Sequence, residues 1–201
     1  MNIITKHRTL DKEKVIDKAT KIINDDGLSA LTMPHLAQEL NIRSQSLYHY
    51  VANRRELLSL ICVKRLQVLH QQLVQKIIGL SGRNALFAFA DEIRNFLLND
   101  HAMSSIFYNV DEIGNDSTVK KEVHEIVKLG EKLDVDNKNV VSVHGLLAAV
   151  LGYVFLDRSQ MFSDETKEQS NDNYHQLLLR LVAPKVKVNQ RKTIKERKLA
   201  R

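Results

Sequence analysis

Residues 31–58 read LTMPHLAQELNIRSQSLYHYVANRRELL, and no other stretch constrains the fold as tightly. Thr32 precedes Met33-Pro34, a helix start, because proline in a first turn lacks an N–H that would have no intrahelical partner anyway. Leu36, Ala37 and Leu40 then mark a helix of barely two turns, and Asn41 suits the left-handed conformation that reverses the chain. Ile42 restarts the apolar pattern, and Ser44 is the expected cap of a second short helix over residues 43–50. Helices this short are unstable alone in water. They need a third element to pack on, and the preceding segment supplies it. There Asp11 is an expected N-cap, Val15, Ile16, Ala19, Ile22 and Ile23 share one helical face, and Gly27 suits a left-handed C-terminal stop. Ala37 permits close crossing, and Leu40, Ile42 and Leu47 complete a small shared core.

The remainder is also expected to be helical. Asn53 caps a long helix with apolar positions from Leu57 to Ile78, followed by patterns over 83–99, 103–110, 117–133, 137–159 and 165–182, which Pro184 ends. Seven glycines and two prolines are too few for the many tight turns of a β-sandwich, and no period-two run is flanked by turn dipeptides. The expectation is an all-α chain of about nine helices. One cysteine, Cys62, makes neither an internal disulfide nor a cysteine-based zinc site, which fits a reducing cytoplasm. No signal-peptide core stands in the first thirty residues, and no apolar run reaches the ~18 residues of a membrane span, so no membrane partner is expected.

Two short helices joined by a turn of about four residues form a helix-turn-helix, whose second helix lies in the DNA major groove. Arg43, Ser44, Gln45, Ser46 and His49, with the hydroxyls of Tyr48 and Tyr50, give the second helix groups that bond base edges or phosphates. A merely solvated helix face has a similar composition. Gln45 is the best candidate for reading a base, since its amide pairs bidentately with adenine. Bulk charge is a weaker clue: residues 185–201 hold eight Lys/Arg against one Glu, more than the whole net charge of +6. That tail is either a solvated terminus or a source of non-specific phosphate attraction.

The segments VIDKATKIINDDGLSALTM, LAQELNI and SLYHYVANRRELL strongly resemble the N-terminal domain of the tetracycline-repressor (TetR) family of bacterial transcriptional regulators. The resemblance runs from about Asp11 to Ile61. It implies that Thr32 caps the first short helix beside a phosphate, with Met33 and His35 at its DNA-proximal start. Arg43, Ser44, Gln45 and Ser46 would open the recognition helix. Tyr48 would pack with its hydroxyl toward phosphate, His49 and Tyr50 would make phosphate or thymine-methyl contacts, and Arg54 would clamp a phosphate. Pro34 departs from the family's frequent Arg, which removes one expected base contact.

The resemblance further implies a homodimer on palindromic duplex DNA and a C-terminal domain that binds a small-molecule effector. There it fades to the stretch GLLAAVLGYVFLD, so that region is read from physics. From Val140 to Leu156 only Ser142 and His144 are clearly polar. Gly145, Ala148, Ala149 and Gly152 form a small-residue stripe, either an intrachain packing surface or a dimer seam; with Leu177 and Leu181 the seam is preferred. An effector pocket is expected from Phe96, His101, Met103, Phe107 and His144, although an isolated histidine is also common as a satisfied core residue. No metal site or cofactor is expected, nor catalysis, since no nucleophile triad, phosphate loop or HExxH spacing is present. The expected organisation is a DNA-binding domain over 1–60, an effector and dimerisation domain over 61–184 and a basic tail over 185–201. The expected function is a dimeric, sequence-specific regulator, a repressor released by its effector; the alternative is an effector-independent member of the same fold with a chromosome-organising role.

Overall fold

The computed structural model describes residues 10–113, 115–133 and 141–183, and no strand occurs among them. The expected N-terminal arm, the beginning of the helix expected from 137, and the basic tail with Pro184 lie outside the described residues. Ten α-helices stand among those described, against about nine expected.

Helix α1 (Lys12–Asp26) starts where Asp11 accepts a hydrogen bond from the Lys14 amide at 2.8 Å, which holds the Asp11 carboxyl below its ordinary range. It buries Val15, Ile16, Ala19, Ile22 and Ile23, the face its spacing predicts. Gly27 has the positive φ expected of it (87°), but its ψ of 167° is extended rather than left-handed helical. Its N–H still closes on Ile23 O at 3.0 Å, and a 3₁₀ turn over Leu28–Ala30 follows that the sequence did not signal.

Helices α2 (Met33–Glu39) and α3 (Ser44–Leu47) pack on one another, and α2 also packs on α1. Next comes α4 (Arg54–Ile77), started by Asn53, whose side chain accepts from the Glu56 amide at 2.9 Å. At a rise of about 1.5 Å per residue this 24-residue rod is about 36 Å long. Its first turns bury Leu57, Leu58 and Ile61, and its later turns bury Leu66, Leu69 and Leu73.

The rest wraps around that rod. Helices α5 (Gly82–Asn99), α6 (His101–Phe107), α7 (Val110–Ile113) and α8 (Ser117–Leu133) all pack on α4, as does α1. Helix α9 (Val143–Arg158) packs on α5 and α8, and α10 (Lys167–Leu181) packs on α9 and α5. The tenth helix arises because the piece expected near 103–110 is two elements, separated at Asn109.

Polar groups fix the helices at definite positions. Asp100 caps α6 through the Met103 amide at 2.8 Å and pairs with Arg65 of α4 at 2.5 Å. Asn24 at the end of α1 accepts from the Ala102 amide at 2.8 Å, tying α1 to α6. Between α5, α9 and α10, Arg94 is only 7% exposed. Its guanidinium lies 4.5 Å from the Tyr174 ring centre and bonds Asn171 at 3.1 Å, with Asp157 at 3.6 Å. A buried charge persists only with such partners. Cys62 is fully buried, and burial pushes its thiol up to about 12.

A close helix crossing is at Gly130 of α8. A Cβ there would come within 2.8 Å of Val143 and 3.0 Å of Phe89. Gly130→Leu is therefore expected to destabilise the fold by about 1–3 kcal/mol, measured as a lower urea midpoint with an unchanged slope.

Candidate functional site

The turn between α2 and α3 is built as its residues dictate. Thr32 accepts from the His35 amide at 3.2 Å, and Pro34 sits in the first turn of α2. Asn41 has φ 54°, so the chain reverses there, and the Ile42 amide returns to Ala37 O at 3.0 Å. Leu36, Ala37 and Leu47 are buried, sealing the angle between the two helices.

Helix α3 is shorter than the 43–50 segment expected. Its α-helical part is Ser44–Leu47, with Arg43 rather than Ser44 at the N-cap position and no side-chain cap. Amides of Tyr48, His49 and Tyr50 bond three residues back, so the helix tightens and ends against Val51. The outward side carries Arg43, Gln45, Tyr48 and His49, all exposed, with Ser44 and Ser46 half-buried beside them. Tyr48 is 55% exposed. Among the described residues no hydrogen bond or ion pair engages the side chains of Arg43, Gln45, Tyr48 or His49. Thr32 is exposed and Met33 half-buried at the adjoining start of α2.

Three further candidates turn inward. His35 Nδ1 lies 2.9 Å from Ala30 O, and Tyr50 donates its hydroxyl to Leu10 O at 3.2 Å. Arg54 is the most committed. Its Nε donates to Leu31 O at 2.7 Å, one terminal nitrogen donates to Leu28 O at 3.0 Å, and the other pairs with Glu112 of α7. Leu28 O also accepts from the Leu31 amide at 3.3 Å, closing the 3₁₀ turn, so the guanidinium fork adds a second donor there and reaches the Leu31 carbonyl that follows the turn. In this conformation Arg54 is an internal strut joining the turn before α2 to α7, not a side chain presented to phosphate.

The helices α4, α5, α6, α8 and α9 line a half-open cavity of about 60 Å³ without polar lining surface. Its walls are Leu66, Leu69, Ile93, Leu97, Met103, Phe107, Val123, Ile126, Val127, Leu147 and Leu151. Of the five residues expected to form a pocket, Met103 and Phe107 line it and three do not. Phe96 is buried elsewhere, its ring 5.4 Å from the Arg65 guanidinium. His101 is exposed, 3.3 Å from Arg158, and His144 is exposed on α9. The aliphatic walls escaped sequence reading because their spacing is that of ordinary core residues.

On the outer side of α9, Ala148 and Gly152 are exposed and Phe155 is 46% exposed; Leu179 of α10 is 49% exposed. Gly145, Ala149, Leu177 and Leu181 are half-buried. A Cβ on Gly152 would meet nothing within 4 Å. This largely apolar helix thus keeps one side uncovered among the described residues. No helix among the described residues is long and apolar enough to cross a membrane.

Residues 15–61 match the bacterial regulatory proteins of the tetR family. The class D tetracycline repressor of Escherichia coli is 42% identical over 55 residues, 27% of this chain and 25% of the repressor, so the match spans a quarter of that relative. A Rhodococcus protein of unknown function has a similar structure, with TM-score 0.72 at 15% identity over 90% of this chain and 100% of the other. A TetR variant of Acinetobacter baumannii in complex with minocycline gives TM-score 0.60 at 19% identity, covering 87% and 95%. At these identities the two structures establish a shared fold.

Arg54→Ala is expected to lower stability by about 1.5–3 kcal/mol in urea titration without DNA, because it leaves the carbonyl of buried Leu31 and the Glu112 carboxylate without their partner. A side chain serving only a phosphate would leave that midpoint unmoved.

Proposed function

We propose that this chain, whose residues 15–61 match the tetR family of bacterial regulatory proteins, acts as a dimeric, sequence-specific repressor released from its operator by a small molecule. The observation that carries the reading is the outward side of α3, where Arg43, Gln45, Tyr48 and His49 are exposed and unengaged while the other side is sealed by Leu47. Polar side chains held on a rigid, short helix are what base-edge recognition requires. Thr32, Ser44 and Ser46 stand beside them as phosphate or base contacts. His35, Tyr50 and Arg54 act indirectly, by fixing α2 and α3 on their support.

The domain division proposed is 1–60 for DNA, 61–184 for effector and dimerisation, and 185–201 as a basic tail. The uncovered apolar side of α9, with Gly145, Ala149 and Gly152, pairs across a two-fold axis together with Leu177 and Leu181 of α10. Such pairing sets two recognition helices about 34–36 Å apart, in successive major grooves. The cavity favours a ligand-responsive regulator over an effector-independent one. Its wall residues Met103 and Phe107 sit on α6, and α6 is bonded to α1 through Asn24 and to α4 through Asp100. A ligand that displaces α6 therefore tilts both supports of the reading head. It shifts occupancy only by its difference in affinity between the two conformations.

Selection of bound sequences from random duplexes tests the reading: enrichment of a palindrome is expected, and recovery of unenriched sequence would refute it. Gln45→Ala is expected to weaken the selected site by about 1–3 kcal/mol while barely changing binding to unrelated duplex, in a gel-shift titration. Gly152→Glu should leave helical circular dichroism intact, since its Cβ has open space, yet sediment as a monomer and lose operator affinity.

A further inference from the structure

We propose that the cavity between α4, α5, α6, α8 and α9 takes the alkyl chain of an uncharged molecule, held with no hydrogen bond to the protein. The inference deepens the proposed function, because it names the chemical class of the effector. It stands first on the walls, which present leucine, isoleucine, valine, methionine and phenylalanine side chains and no polar surface. A ligand hydroxyl, amide or charge placed here would lose its water without replacement, a cost that keeps polar groups out of the slot.

Size and shape narrow the class. A volume of about 60 Å³ is well below the roughly 150 Å³ that takes up a benzene ring. The wall pairs Ile93/Leu97, Met103/Phe107, Val123/Val127 and Leu147/Leu151 each span four residues of a helix. Each pair gives the slot a wall about one helical turn, roughly 6 Å, long. A slender chain fits such a slot, and a ring system does not. Entry is at the half-buried rim, where Phe107, Val123, Leu147 and Leu151 lie, while Leu66 and Met103 form the buried end. The nearest phenol does not change the selection: Tyr108 already donates its hydroxyl to Leu151 O at 2.7 Å. A polar head, if the molecule carries one, stays outside the rim.

The chain contains four methionines, Met1, Met33, Met103 and Met161, which makes the test specific. Met103 is a cavity wall, Met33 lies at the start of α2, and Met161 is 66% exposed. The full-length protein, labelled with ¹³C-methyl methionine, is titrated with primary alcohols from butanol to octanol, and separately with suberate and with minocycline. The expected result is a saturable shift of the Met103 signal with alcohols, none at Met161, and none with suberate or minocycline. Affinity should rise about fourfold per added methylene and then level off once the slot is full. Leu147→Phe, which fills the rim, should abolish the shift; should that variant fail to fold, the chain-length slope decides alone.

A Met103 signal unmoved up to the solubility limit of octanol would overturn the inference, as would one moved by suberate or minocycline. Operator affinity is measured on the same samples. If Met103 shifts while Met33 and operator affinity do not, the cavity assignment stands and release by an effector is refuted.

Discussion

The structure depends on one helix being buried in different surroundings at its first turns and along its middle. The first turns of α4 pack through Leu57, Leu58 and Ile61 beside α1, while its later turns supply Leu66 and Leu69 to the cavity wall. A continuous hydrogen-bonded rod transmits a tilt along its length, because bending it would break backbone bonds. The reading head and the cavity thus share a single beam.

Around that beam, charged and polar groups convert packing into registration. Arg54 grips Leu28 O in the 3₁₀ turn, Leu31 O just after it and Glu112, Arg65 grips Asp100, and Asn24 holds the start of α6. Apolar contacts alone tolerate sliding by fractions of an ångström, whereas a guanidinium fork fixes both distance and direction. These bonds cross between α1, α4, α6 and α7, which makes the junction a set of discrete fits rather than a greased surface.

Much of this was legible in the residues. The α1 face, the caps at Asp11, Thr32 and Asn53 and the reversal at Asn41 follow from local rules that each act within one or two turns. The stripe of small residues on α9 was visible in the sequence, whereas the exposure of its Ala148 and Gly152 among the described residues was not. What sequence could not supply was direction. Arg54, His35 and Tyr50 have the composition of contact residues, yet their partners are backbone carbonyls, some distant in sequence and carrying no side-chain signature. The cavity was hidden for a related reason: its walls are spaced like any core, and aromatic or histidine content pointed to Phe96, His101 and His144 instead. The length of α3 was overestimated because residues 48–50 continue the helical pattern while tightening to three-residue bonds.

The buried sulfur of Cys62 has a practical consequence. As the chain's one thiol, sealed near the middle of the beam and kept protonated, it meets a water-borne reagent only when the surrounding helices part. Its rate of alkylation is therefore a stopwatch on spontaneous breathing of the junction, readable without adding any label or altering a single residue.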